Sequence, residues 1–202
     1  MMPYQLNLAI KPADLQKLID NNQQIILAKG DVAWVTITPL LNNCVQWSDN
    51  YYLYAQMERV QPGSNVQMAY QTAALPGHSY DFKSFGSFFP SEGGTAQPNT
   101  YQIVNLFTQQ PYITLGLAQP VQVNGSLAMV NPINAVSAPS NTTMVFSVAN
   151  QVTVFISNTV TTGEVLSTPV PVNALKIDFS LSASEVNVIH DAEAGGFVHA
   201  GL

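Results

Sequence analysis

The sequence is poor in charged residues, which make up 9% of the chain against about 25% of an average domain. Apolar residues account for 47%, and because disorder requires low hydrophobicity, the shortage of charge does not indicate an unfolded chain. The remaining polar residues are mainly Asn, Gln, Ser and Thr. We therefore expect a folded protein whose surface is built from neutral amides and hydroxyls.

Basic residues are especially scarce. The six Lys and Arg stand singly along the chain, and the formal net charge is −6. Binding of nucleic acid draws much of its affinity from the neutralisation of phosphates, and attraction to anionic lipid needs the same cations. No nucleic-acid partner is therefore predicted, and electrostatic attraction to anionic lipid is disfavoured.

Disulfides and export signals are also missing. Cys44 is the only cysteine, which fits a reducing compartment and is typical of a small buried hydrophobe rather than a nucleophile. The opening residues, MMPYQLNLAI, contain no basic region followed by a long apolar run, and no apolar stretch is long enough to span a membrane. We predict synthesis in the cytoplasm without a signal peptide. Release by a non-classical route, through lysis or dedicated export, stays open.

The common catalytic signatures are absent. The chain has no G-x-S-x-G elbow, no phosphate-binding loop and no paired carboxylates. His190 and His199 would share one face of a terminal hairpin whose turn is 192–195, with Asp191 and Glu193 nearby, but their spacing matches no metal signature. We predict a protein that is not an enzyme, with no catalytic residue, metal or cofactor.

The dominant pattern is an alternation of apolar and polar residues. In YQLNLAI, residues 4–10, and in ALKIDFSLS, residues 174–182, every second residue is apolar, which is typical of half-buried strands. Similar runs recur between Gly, Pro and Asn signals. They predict an all-β fold: an antiparallel β-sandwich of about ten to twelve short strands in a single domain, 1–202, with one short N-terminal helix.

Turn signals predict how some of these strands are connected. Asn124-Gly125 is a strong hairpin signal because both residues tolerate positive φ. Ala149-Asn150 separates two apolar runs and fits a two-residue hairpin connection. The helix is predicted over 11–22, where Pro12 suits the first turn and Asp14 lies near the positive end of the helix dipole.

An irregular segment is predicted between Leu75 and Gln97, where the alternation fails. It is rich in Gly, Pro and Ser but holds five aromatic residues. A long loop in a compact domain is either functional or packed down by its own side chains. We expect Phe82, Phe85, Phe88 and Phe89 to tie this loop to the body.

The stretch CVQWSDNYYLYAQM, Cys44 to Met57, concentrates aromatic residues. Read as strands, it places Trp47 and Tyr51 in the core and directs Tyr52 and Tyr54 to a mostly polar opposite face. An exposed pair of tyrosines among amides would suit a sugar or a lipid headgroup. The alternatives are that a second layer or the Phe-rich loop covers this face, or that a protein partner binds it. The predicted ligand contacts are Tyr52, Tyr54 and Gln56, with Tyr80 and Phe85 of the Phe-rich loop.

The segments Val32–Gln56, Ile113–Gly125 and Val186–Gly201 carry a resemblance to a family of small microbial β-sandwich proteins. Their aromatic spacing and the terminal H-D…G-G-F hairpin are the shared features, and they imply a fold without implying an activity. The overall plan is similar to lectin-like and actinoporin-type toxin domains, which combine a β-sandwich, an amphipathic N-terminal helix and an aromatic cluster. This chain has a shorter helix and lacks a basic, Trp-rich headgroup site.

These features favour a non-enzymatic recognition protein of lectin or toxin type, with a glycan or lipid headgroup as its partner. The alternative is a structural or self-assembling protein of inclusion, filament or coat type, because a weakly charged surface does little to prevent close association. A homo-oligomer is compatible with both functions.

Overall fold

The computed structural model describes residues 4–83, 86–167, 169–179 and 184–201, and it is mostly β. This confirms the predicted fold class. The described residues form seventeen strand segments, more than the ten to twelve expected, because several are only four residues long. In chain order the elements are β1 (Tyr4–Ala9), α1 (Pro12–Asp20), β2 (Gln24–Lys29), β3 (Val32–Ile37), β4 (Asn42–Trp47), β5 (Tyr51–Gln56), β6 (Tyr70–Ala74), β7 (His78–Lys83), β8 (Ser87–Thr95), β9 (Thr100–Asn105), β10 (Tyr112–Val123), β11 (Met129–Pro132), β12 (Val136–Pro139), β13 (Thr142–Ser147), β14 (Gln151–Ser157), β15 (Leu175–Asp178), β16 (Glu185–Asp191) and β17 (Gly196–His199).

Across the described ranges the strands form three sheets. The largest has nine strands in the order β17-β16-β1-β4-β10-β5-β6, with β11 and β12 also pairing with β10. The second has the order β13-β9-β7-β8, and the third has the order β15-β14-β2-β3. Neighbours are antiparallel except β1 with β16 and β7 with β9, which are parallel. The sheets are therefore mainly, but not purely, antiparallel.

One apolar core joins the inward faces of all three sheets. It includes residues of the large sheet, of the β7–β9 pair and of the β2–β14 pair: Leu6, Val45, Leu53, Leu117, Phe82, Ile103, Leu27 and Val154. Trp47, with 4% of its surface exposed, and Tyr51 also lie in this core, as predicted. The alternation seen in the sequence is thus the signature of strands that each bury one face.

The predicted helix is present as α1. Pro12 lies in its first turn, Leu18 is buried, and the helix ends before Asn21. Ile19 is 51% exposed, because α1 covers the sheets with only part of its apolar surface. No helix within the described ranges is long and apolar enough to cross a membrane.

The hairpin expected at Ala149-Asn150 is wrong, because the two strands belong to different sheets. β13 pairs with β9 along six residues, and β14 pairs with β2 and β15. Residues 148–150 therefore cross from one sheet to another, and this crossing brings Asn150 to the cleft described below.

The turn predictions for Asn124-Gly125 and for the terminal hairpin are confirmed, except that the first loop is longer than two residues. Asn124 and Gly125 both adopt positive φ, at 50° and 73°, but the loop from β10 to β11 runs over 124–128 rather than two residues. Asn124 Oδ1 accepts a hydrogen bond from the Cys44 amide at 2.7 Å, which fixes that loop to β4. The terminal hairpin has its turn at 192–195, and the pairings of His190 with Phe197 and of Val188 with His199 place both histidines on one face.

The Phe-rich segment contains regular structure that the alternation did not reveal. It forms the antiparallel hairpin of β7 and β8, with a register shift between His78 and Tyr80. β8 lies at the edge of its sheet, where Pro90 is tolerated. Because one side of this strand stays in solvent, β8 lacks a clear apolar face. Phe82 is buried and contacts Phe88 at 4.9 Å between ring centroids, whereas Phe89 is 44% exposed and does not tie the segment down.

Trp47→Ala should lower the free energy of unfolding by about 3–5 kcal/mol, because it leaves a cavity in the principal core. The Trp47 ring meets Tyr4 at 5.8 Å, Trp34 at 5.4 Å and Phe179 at 4.8 Å between centroids. Urea denaturation measures the change, with Tyr112→Ala at an exposed aromatic position as the control. A Trp47→Ala variant as stable as the control would contradict this packing.

Candidate functional site

The face predicted to present Tyr52 and Tyr54 is covered. Tyr54 has 0% of its surface exposed, and its hydroxyl donates a hydrogen bond to the carbonyl oxygen of Asn134 at 2.6 Å. Gln56 is buried as well, and its Oε1 accepts from the amide of Gln67 at 2.6 Å. Tyr52 is half-buried. The expected exposure is therefore wrong for Tyr54 and Gln56.

A second, smaller apolar cluster causes this burial. The chain between β5 and β6 and the segment around residue 165 pack over the outer face of the large sheet, as the members of the cluster indicate: Val32, Tyr54, Val66, Ala118 and Val165, with Tyr52, Val60 and Met68 at its margin. The alternative of a covering layer therefore describes this face.

The two ligand contacts predicted in the Phe-rich segment, Tyr80 and Phe85, have different outcomes. Tyr80 is buried, and its hydroxyl accepts a hydrogen bond from the amide of Leu75 at 2.9 Å. Phe85 lies outside the described residues. Of the four predicted contacts that the structure describes, only Tyr52 keeps partial exposure. That these residues contact a ligand stays a prediction. The exposed face on which the prediction was based is covered at Tyr54 and Gln56.

A different part of the same aromatic stretch reaches a cleft. The turn between β4 and β5 places Asp49 at a depression of about 360 Å³, where four separate segments of the chain meet. We call this depression the Asp49 cleft, and the residues that line it are Asp49, Tyr51, Pro76, Asn99, Tyr101, Val148 and Asn150.

The carboxylate of Asp49 is held by hydroxyl donors. Tyr4 donates to Oδ2 at 3.1 Å, and Tyr51 donates to Oδ1 at 3.3 Å. Asn150 Nδ2 in turn donates to the Tyr4 hydroxyl at 2.8 Å, while its Oδ1 is buried without a hydrogen-bond partner. The Tyr101 ring lies 5.5 Å from the Tyr51 ring. The cleft therefore combines a fixed acceptor, an unsatisfied amide oxygen and two aromatic walls.

The charge of the cleft is negative and unpaired. Within the described ranges, no Lys or Arg forms an ion pair with Asp49. Burial raises the pKa of the Tyr51 hydroxyl far above its usual range, with the charge of Asp49 adding to the effect. Burial and then the charge of Asp49 also raise the pKa of Tyr101, to about 12. The tyrosines therefore remain neutral donors around a carboxylate.

This arrangement suits a neutral ligand rich in hydroxyl groups. A carboxylate accepts hydrogen bonds from several hydroxyls, amides both donate and accept, and aromatic rings give apolar contact with directional polar edges. Small-molecule sites are usually concave and contain a small number of polar groups that converge on the ligand.

A larger cleft, of about 620 Å³, lies along β7 and β8, but it is shallow. Lys83, Phe89, Pro90 and Glu92 are all exposed, so a bound molecule would remain largely solvated. Asp81 there accepts a hydrogen bond from Ser91 and pairs with Lys83 at 3.4 Å. Its polar groups thus already satisfy one another.

A further cleft, of about 390 Å³, separates α1 from the terminal hairpin. His190 is buried there, and its Nδ1 lies 3.7 Å from Asp14 Oδ2 with no hydrogen-bond partner. Lys17 pairs with the other oxygen of Asp14 at 3.5 Å. Over the described part of the chain, no group of three or more His, Cys, Asp and Glu side chains is placed to hold a metal ion.

Cys44 is not activated as a nucleophile. It is half-buried in β4, and burial raises the pKa of its thiol, as does the charge of Glu185. A raised pKa reduces the thiolate, which is the reactive form.

Sequence reasoning did not identify the Asp49 cleft. Its local signal was only Ser48-Asp49-Asn50, a turn composition between two aromatic residues. Tyr51 is two residues from Asp49, but the other partner of Asp49, Tyr4, is 45 residues away, and Asn150 contacts Tyr4 across 146 residues. No local pattern connects them.

Comparison of the chain with family models, with curated proteins and with solved structures finds no match.

The buried tyrosines predict a loss of stability at high pH. In the folded chain the pKa values of the Tyr51 and Tyr101 hydroxyls are raised above the ordinary tyrosine value of 10.0. The unfolded chain therefore binds fewer protons above about pH 10, and the free energy of unfolding should fall from there to pH 12. Urea denaturation at pH 8, 10 and 11 measures this decline.

Tyr101→Phe should make the decline shallower, because it removes one of the groups that ionise only on unfolding. Tyr112→Phe, at an exposed tyrosine, is the control. Stability that stays level or rises between pH 10 and 11 would show that these hydroxyls are not buried beside a negative charge.

Proposed function

We propose that the protein is a non-enzymatic recognition protein of lectin type, and that it binds a neutral saccharide in the Asp49 cleft. The observation that carries this proposal is the Asp49 carboxylate, oriented by the hydroxyls of Tyr4 and Tyr51 and unpaired with any Lys or Arg in the described ranges. A carboxylate fixed in this way offers acceptors for adjacent hydroxyl groups of one sugar ring.

The lining of the cleft favours a neutral sugar over a phosphorylated lipid headgroup. It contains neither Lys nor Arg, so a phosphate would approach Asp49 without a compensating cation. Phosphate recognition ordinarily relies on Arg, Lys or a helix N-terminus. A glycan is therefore the partner that we favour among the two expected classes.

The same lining favours binding over hydrolysis. Glycoside hydrolysis ordinarily needs two carboxyl groups, about 5–9.5 Å apart, on either side of the scissile bond. Asp49 is the one acidic residue among the side chains that line the cleft. Its partners are neutral tyrosines and amides, which can hold a sugar without transferring a proton at neutral pH.

The structural or self-assembling alternative has less specific support. The most exposed apolar side chains, Leu127 and Val172, lie on different turns. Single exposed apolar residues are common on protein surfaces and do not define an interface. Light scattering over a concentration series, without any ligand, separates this alternative from recognition, because a self-assembling chain should form a defined larger particle.

A glycan array, with liposomes of phosphatidylcholine and phosphatidylserine as the lipid arm, tests the proposal. The wild type should be retained by neutral glycans and not by either liposome. Asp49→Asn should weaken retention by about tenfold or more, because a hydrogen bond to a charged acceptor contributes about 1.5–3 kcal/mol. The fold should persist, because the amide oxygen can still accept from one of the two tyrosine hydroxyls and the other hydroxyl can accept from the amide NH2.

Two further variants locate the binding. Asn99→Gly should weaken retention while preserving the local backbone, because Asn99 has a φ of 61° that glycine adopts freely. Glu92→Gln alters the shallow β7–β8 cleft and should leave retention unchanged. Retention that survives Asp49→Asn but is lost in Glu92→Gln would move the site to β7–β8, and retention by liposomes alone would reject the glycan proposal.

A further inference from the structure

Lys29 is a buried lysine that forms no ion pair with a carboxylate among the described residues. It ends β2, it is 4% exposed, and none of the ion pairs among the described residues includes it. Its Nζ lies 4.4 Å from the centroid of the Trp34 ring and 5.4 Å from that of Trp47. Burying an ammonium group is costly unless other groups compensate, and two aromatic faces offset only part of that cost.

A chain of hydrogen bonds further offsets the cost of burying the Lys29 ammonium group. This chain ends beside the Asp49 cleft. Lys29 Nζ donates to Gln119 Oε1, and Gln119 Nε2 donates to the carbonyl oxygen of Ser48 at 2.8 Å. Gln119 is fully buried in β10, and its own carbonyl accepts from Trp34 Nε1 at 3.3 Å. Ser48 immediately precedes Asp49 in the turn between β4 and β5.

We propose that Lys29 is a positioning residue for the Asp49 cleft: it orients Gln119, Gln119 holds the Ser48 carbonyl, and this chain sets the position of the Asp49 carboxylate. As a statement about ligand affinity, the proposal rests on the proposed function. As a statement about the turn, it can be tested without any ligand.

The electrostatics make this chain dependent on pH. Burial lowers the pKa of the Lys29 ammonium from 10.5 to about 7, and the charge of Asp49 acts in the opposite direction. Below pH 7 the donor to Gln119 is an ammonium, and above it a neutral amine. A charge-assisted hydrogen bond is about twice as strong as a neutral one. The hydrogen bonds that position the turn between β4 and β5 should therefore be strongest below pH 7 and weaken as pH rises through 7.

Two other ionisable side chains lie near enough to be considered. Lys176 lines the cavity that adjoins Lys29 but is itself exposed. His78 Nδ1 lies 3.0 Å from the carbonyl oxygen of Pro76, which lines the Asp49 cleft. A test must therefore distinguish Lys29 from His78.

The test is a pH titration of the isotopically labelled protein by NMR, from pH 5.5 to 9. In the wild type, the backbone amides of Ser48, Asp49 and Asn50 and the side-chain amide of Gln119 should shift together with a midpoint near 7. Lys29→Met should abolish this shared transition, and Lys176→Met, the matched control, should retain it. A transition that persists in Lys29→Met would show that a group other than Lys29 causes it and would overturn the proposal.

A second variant keeps the test decisive if Lys29→Met fails to fold. Gln119→Met removes the link between Lys29 Nζ and the Ser48 carbonyl and leaves Lys29 in place. The turn amides should then lose the shared transition. Turn amides that still shift together with a midpoint near 7 would show that Lys29 does not act on the turn through Gln119.

The ligand arm uses the neutral glycan best retained on the array. Its affinity for the wild type should fall by about threefold to tenfold between pH 6 and pH 8.5, the range expected from weakening one hydrogen bond, and should be level in Lys29→Met. Turn amides that titrate while no glycan binds would reject the proposed function and leave the positioning role standing. Glycan affinity that is equal at both pH values in the wild type would reject Lys29 as a determinant of binding.

Discussion

The packing of Trp47 connects the fold to the candidate site. Its ring meets Tyr4 from β1 and Trp34 from β3, so it joins the nine-stranded sheet to the sheet of β2, β3, β14 and β15. Lys29 lies over both tryptophan rings. Because Asp49 follows Trp47 by two residues, the contact that joins two sheets also fixes where the acidic turn emerges. The position of the Asp49 cleft is therefore a consequence of core packing rather than of a flexible loop.

The character of the cleft follows from the composition of the chain. With few charged residues, the polar groups that reach the cleft are hydroxyls and amides, and one carboxylate dominates its electrostatics. The tyrosines around Asp49 keep their protons because burial and the neighbouring negative charge both oppose ionisation. A neutral, hydrogen-bonding surface around a single acceptor matches the chemistry of a sugar better than that of a phosphate or a nucleic acid.

Sequence reasoning predicted the features that depend on local patterns. Alternating residues identified the strands, Pro12 and Asp14 marked the start of α1, and the terminal hairpin has its expected turn. It could not predict which strands pair beyond the hairpins that turn residues mark. β13 and β14 are separated by three residues but belong to different sheets, because their best partners lie elsewhere in the chain.

The burial of Tyr54 shows the same limit. Alternation correctly placed it opposite the principal core, but a second apolar cluster covers that face. For Asp49, the partners lie 45 residues or more away or come from an adjacent strand, and only the folded chain brings them together. A turn of Ser, Asp and Asn is common enough that nothing in the sequence separated it from an ordinary surface turn.

The most direct test of the central claim is a crystal structure of the protein soaked with the neutral glycan that it retains best. The account predicts electron density for a sugar ring in the Asp49 cleft, with two ring hydroxyls within about 3.2 Å of the Asp49 carboxylate and the ring against Tyr101. Density for the sugar along β7 and β8, or beside Tyr52, with the Asp49 cleft filled only by water, would contradict it.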